Sequence, residues 1–176
     1  MSLPSRLHPR LKNFDYSTNG AYHIIIHLRQ NAPPLSRIER VPQRQYEPIY
    51  PRQGLDYYGS FTTELTDCGK VCYTVLKEMM IQYPTVSVDD FVFMPTHIHL
   101  LLSIQEGTQI SIPDYVRALK SKTTVIINRK RNTKGMQMFQ ASFYDHIIRN
   151  QEDYLETLLY IDNNPQKEIE KIIFRK

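Results

Sequence analysis

The chain has 176 residues, enough to bury a core without disulfide or metal staples and few enough for one domain. Its 22 Lys plus Arg against 18 Asp plus Glu leave a net charge of +4, which excludes a strongly acidic chain and permits a polyanionic partner without requiring one. No apolar run approaches the ~20 residues of a membrane span, and Met1 to Arg10 has no apolar signal-peptide core. Cys68 and Cys72 lie one helical turn apart, outside any Cys-x-x-Cys pattern, and read as reduced packing residues. A cytoplasmic protein is expected.

Residues 1–19 read as an irregular basic arm, with Arg6, Arg10 and Lys12 for charge and Pro4 and Pro9 as breakers. Ala21 to Leu28 is β-branched and apolar, a buried strand on which His23 and His27 share a face and read as structural. Residues 30–60 hold five of the eleven prolines and have no period, so a long loop insertion is expected. There Arg37, Arg40, Arg44 and Arg52 alternate with Tyr46, Tyr50, Tyr57 and Tyr58, compatible with phosphate tracking and base stacking or with a solvated insertion.

From Thr62 to Gln82 the apolar Leu65, Val71, Val75, Leu76, Met79 and Met80 predict an amphipathic helix. Strands near 86–94 and 97–104 follow, joined around Met94-Pro95. Ser111 opens a helix to about 131 whose apolar positions include Val116, Leu119 and Ile126 and whose other faces carry Arg117, Lys120 and Lys122. A strand from Phe143 to Ile148 leads to a helix capped by Asn150, with Glu152 and Asp153 in its first turn, closing near Asn164-Pro165. The order strand, helix, strand, strand, helix, strand plus one helix predicts an α/β (α+β) fold of the ferredoxin-like split β-α-β type, spanning 1–176 as one domain. Such a fold does not specify a function.

His97 and His99 supply a chemical cue. Alternate residues of a strand share a face, so both imidazoles project together while Ile98, Leu100 and Leu102 point into a core. The pair is half of a metal site, or one core histidine beside an exposed one. On the last helix, at about 100° per residue, Tyr154, Leu155, Leu158, Leu159 and Ile161 form one apolar arc with Asp162 inside it. Tyr160 falls opposite, between Thr157 and Asn164, and Asn164 is its neighbour one turn on.

Four blocks, Arg10 to Ser17 ahead of Gly20-Ala-Tyr22, Phe91 to His99, Tyr144 to Arg149, and Tyr160-Ile-Asp-Asn-Asn-Pro165, together resemble the REP-associated tyrosine transposases. These are single-tyrosine members of the His-hydrophobe-His, or HUH, IS200-like transposases. The blocks keep the family's order across nearly the whole chain. The resemblance implies that His97 and His99 bind a divalent metal, Mg²⁺ or Mn²⁺, that Asn164 helps complete the site, and that Tyr160 is the nucleophile. It implies a 5′-phosphotyrosine intermediate on single-stranded or hairpin DNA, with rejoining that needs no nucleotide cofactor. Arg10, Lys12, Arg117, Lys120, Lys122 and Arg149 are candidate DNA contacts, and His146 reads equally as a phosphate contact or a structural hydrogen bond. Thr96 stands where the family usually has Asn, and Phe139-Gln140 where Trp-Gln is common. The sequence does not choose between monomer and homodimer. Two rival functions share these residues: a non-catalytic hairpin-binding protein, and a metal-dependent hydrolase using activated water.

Overall fold

The computed structural model describes residues 14–40 and 61–174. Strands β1 (Gly20–His27), β4 (Val86–Phe93), β5 (His97–Ile104) and β6 (Tyr144–Ile147) form one antiparallel sheet in the order β4-β5-β1-β6. With helices α1 (Asp67–Gln82) after β1 and α2 (Ile112–Arg131) before β6, this is the ferredoxin-like arrangement the element order predicts. The two central strands are the two that carry the histidine pairs. Ile25 stands opposite His99 and His27 opposite His97.

Alternation then sorts the side chains. One sheet face presents Tyr22, Ile24, Ile26, Ile98, Leu100 and Leu102, all buried with Val75, Leu76 and Met79 of α1 and Tyr115, Val116 and Leu119 of α2 in the main core. The opposite face carries His23, His27, His97, His99 and His146, with buried Ile25 and a small apolar cluster in which Val92, Met94 and Leu101 meet Ile161 from a helix. Helix α3 (Gln151–Asp162) packs there, and α4 (Asn164–Phe174) continues from it.

Three expectations are corrected. The helix expected from Thr62 starts only at Asp67, capped by Thr66, whose hydroxyl accepts from Gly69 N–H at 3.2 Å. Residues Phe61–Leu65 are strand β3, paired with β2 (Ser36–Arg40), so the stretch expected to be a loop contributes a hairpin strand. β-branched Thr62 and Thr63 favour an extended backbone over the first turn of a helix. Gly69 lets α1 approach this hairpin, for a Cβ there would stand 1.9 Å from the Leu35 carbonyl oxygen. Lastly, Pro165 does not lead into a tail. It sits in the first turn of α4, where a missing N–H has no intrahelical partner to lose.

The end of the expected basic arm is also ordered. Tyr16 is buried and donates its hydroxyl proton to Asp145 at 2.7 Å, tying the segment to β6. Arg10 and Lys12, together with Arg44, Arg52, Tyr46, Tyr50, Tyr57 and Tyr58, lie outside the described residues. Cys68 and Cys72 are free and buried, and burial pushes the Cys72 thiol up to about 12, so it stays protonated and packs as an apolar group.

Candidate active site

The rotation of α3 departs from the expected one and brings Tyr160 to the sheet. Leu155 and Leu159, assigned to the apolar arc, are 50% and 61% exposed, whereas Thr157, Ile161 and Asn164 are buried. Residues 154–161 are apolar nearly all round the helix, so periodicity alone does not fix which side docks. Two contacts do. Ile161 fills the cluster with Val92, Met94 and Leu101, and Tyr154 donates to Asp89 Oδ2 at 3.1 Å. Asp89 is the extra residue of a β-bulge in β4 and is also held by Ser87 and Ser103. Tyr160 therefore lies over the histidine face, 37% exposed, with its ring centroid 5.6 Å from His99 and 5.8 Å from His23.

The histidines form a connected set. The rings of His97 and His99 are 4.8 Å apart and nearly perpendicular, and His27 lies 5.4 Å from His97. Nδ1 of His99 is 2.9 Å from Nε2 of His23, and Nδ1 of His97 is 3.1 Å from the Thr96 hydroxyl. In both His97 and His99 Nδ1 is thus engaged and Nε2 is the remaining ring nitrogen. Nε2 of His99 is buried with no hydrogen-bond partner among the described residues. Leaving a buried polar atom unpaired costs about 1–3 kcal/mol. Burial, reinforced by the neighbouring His23, His97 and His27 rings and by Lys167, pushes His99 down to about 2. Burial likewise pushes His97 down to about 4, with His27 adding to the effect. Both are neutral imidazoles at pH 7, the form that ligates metal.

These residues fit a divalent ion in part. An unpaired buried imidazole nitrogen beside a second neutral histidine is the donor chemistry such an ion takes up. Among the described residues no three His, Cys, Asp or Glu side chains converge as a ready cage. Further ligands would have to come from an amide, water or substrate. Asn164 is buried one turn after Tyr160, and its Nδ2 donates to the Tyr160 carbonyl at 2.9 Å, so Oδ1 is its atom for ligation.

Helix α4, which the sequence reading missed, adds charge over this face. Lys167 Nζ lies 4.3 Å from the centre of the Tyr160 ring, a cation–π contact. Glu168 and Lys171 pair at 3.0 Å, both near enough to influence His97. The signal was available, since Ile169, Ile172 and Ile173 repeat at helical spacing after a proline suited to a helix start.

The side chains of three expected DNA contacts, Arg117, Lys120 and Lys122, have local partners. Arg117 pairs with Asp114 at 2.6 Å, Lys122 reaches Gln82 Oε1 at 2.5 Å, and Lys120 donates to the carbonyls of Gln140 and Ala141 at 2.5 and 2.9 Å. His146 hydrogen-bonds Asp153 Oδ1 at 2.8 Å, and the Arg149 backbone N–H donates to the other oxygen of the same carboxylate. Arg29, which the sequence reading passed over, joins Arg117, Lys120 and Gln140 around a groove of about 420 Å³ between α2 and residues 137–143. The groove adjoins the histidine end of β1, because Gln140 N–H bonds the His27 carbonyl and Phe139 bridges Leu28.

Residues 62–164, more than half of the chain, match the family described as transposase IS200-like. The chain belongs to the IS200-like transposase family. It is 26% identical to an uncharacterized protein of Haemophilus influenzae over 176 aligned positions, covering 89% of this chain and 86% of that one. Its fold resembles a REP-associated tyrosine transposase solved with a REP hairpin, with a TM-score of 0.61 at 18% identity, over 90% of this chain and 73% of that chain. A putative transposase from Deinococcus radiodurans aligns at 19% identity and a TM-score of 0.45, over 88% and 97% of the two chains. Membership of the family supports a transposase function acting on DNA. Among the described residues, no helix is long and apolar enough to cross a membrane.

Proposed function

We propose that this transposase is a metal-dependent single-strand DNA nicking and joining enzyme with Tyr160 as its nucleophile. The observation that carries the reading is the edge-on contact of the Tyr160 ring with His99, on the face where the Nε2 of His99 is buried and without a hydrogen-bond partner among the described residues. His97 and His99 would hold Mg²⁺ or Mn²⁺, with Oδ1 of Asn164 as a further ligand. When bound, the ion supplies Lewis-acid withdrawal of charge from a non-bridging phosphate oxygen.

The chain's own residues account for the rest. Tyr160 is exposed enough to meet a phosphodiester, yet its ring is held between His23, His99 and Lys167. Its phenol loses a proton and attacks phosphorus; the new P–O bond links the tyrosine to the 5′ side, and the broken bond leaves a 3′-oxygen that takes up a proton. Lys167 would offset the phosphate charge as it approaches the phenol. Attack by the 3′-hydroxyl on the phosphotyrosine reverses the step and rejoins DNA without ATP. Single-stranded DNA with a hairpin is the substrate this reading favours, because the structural relative at 0.61 was solved on a REP hairpin. The groove beside Arg29 and Arg117 is the surface most suited to carry the flanking strand.

The test is incubation of labelled hairpin DNA with Mn²⁺, followed by denaturing electrophoresis. A protein–DNA adduct in the parent that vanishes in Tyr160→Phe, with DNA binding kept, is the expected result. Cleavage with no adduct under any condition would favour the hydrolase. Binding with neither would favour the non-catalytic hairpin binder.

A further inference from the structure

On the reading of His97 and His99 as metal ligands, we propose that His23 is a positioning residue for that site. Its Nε2 accepts a hydrogen bond from Nδ1 of His99, keeping Nε2 of His99 a bare lone pair available to an ion. His23 and His99 lie diagonally across the two central strands, since Leu101 stands opposite His23 and Ile25 opposite His99. Backbone pairing on both sides of β1 holds their Cβ atoms, and the rings stack at 5.2 Å with an 18° tilt. Their 2.9 Å contact is buried from water, at 6% and 2% exposure.

One of the two facing nitrogens must carry the proton. If it were Nε2 of His23, neutral His99 would carry its own proton on Nε2, burying a donor with no acceptor among the described residues. If it is Nδ1 of His99, the buried atom is an acceptor lone pair, which a cation can take up. Ligating histidines are generally fixed this way, by donating the second ring N–H to an acceptor. The acceptor here is another imidazole, whose Nε2 faces Nδ1 of His99 at 2.9 Å. Thr96 cannot impose the same choice on His97, because an exposed hydroxyl can donate or accept equally.

The experiment uses the full chain and needs no turnover. Long-range ¹H–¹⁵N spectra of the metal-free protein read which nitrogen of His99 is protonated, and calorimetric titration with Mn²⁺ reads affinity. The parent should show His99 protonated on Nδ1. His23→Ala should move that proton to Nε2 and weaken Mn²⁺ binding about 10–100-fold. His23→Gln, whose amide oxygen can accept from Nδ1, should restore the Nδ1 proton and most of the affinity, a rescue that generic core packing would not produce. His99→Ala separates the two claims. If it leaves Mn²⁺ affinity unchanged, the metal reading itself fails. If it abolishes binding while His23→Ala stays within twofold of the parent, or if His99 of the parent is protonated on Nε2, the role of His23 is overturned and the metal reading stands. Should His23→Ala not fold, the parent spectrum and His23→Gln still decide the matter.

Discussion

The two faces of the sheet are made from the same strands and differ in almost every physical respect. Under α1 and α2 the side chains are mainly aliphatic and aromatic and closely packed, with few polar groups such as Thr123 and the Asp145 carboxylate held by Tyr16. Under α3 and α4 the same strands present histidines, a small apolar cluster closed by Ile161 of α3, and a buried nitrogen with no hydrogen-bond partner among the described residues. Neighbours in sequence, such as His99 and Leu100, belong to opposite worlds because a strand alternates. One face supplies the stability that lets the other keep polar groups a stable core would not select.

Single substitutions can break or sharpen that contrast. Leu100→Ala, fully buried against the helices, should cost about 2–5 kcal/mol in urea unfolding. Gly69→Ala comes next, at about 1–3 kcal/mol, because the added carbon meets the Leu35 carbonyl and must push α1 off the β2–β3 hairpin. Tyr154→Phe removes the hydrogen bond to Asp89 and should cost about 0.5–1.5 kcal/mol while adduct formation on hairpin DNA persists. His99→Leu should change the stability of the metal-free protein least, within about 1 kcal/mol, since it removes one unpaired nitrogen and orphans His23 Nε2 in its place. It should nevertheless abolish Mn²⁺ binding in calorimetry. A stability loss there as large as that of Leu100→Ala would erase the distinction between the faces.

Much of this was legible before any coordinates. The order of elements gave the sheet, and the single intervening residue between His97 and His99 gave their shared face, because both follow from local period and chain order. Two things were not. The rotation of α3 was misjudged because Leu155 and Leu159 look like core, and the bulge that aims Asp89 at Tyr154 is a register event with no sequence period. The role of His23 was missed because its partner lies on another strand, 76 residues away, and only the register of β1 against β5 brings the rings together. Helix α4 escapes a reading by period for a simpler reason: Pro165 reads as a stop where it serves as a start.

The claim at the centre of this account is that the face with histidines carries the chemistry through Tyr160. Mass spectrometry of the nuclease-trimmed peptides from a protein–hairpin DNA adduct tests it most directly. The account predicts a nucleotide remnant on Tyr160 and on no other residue. A remnant on Tyr144 or Tyr154, or on a residue of the α1–α2 face, would contradict it.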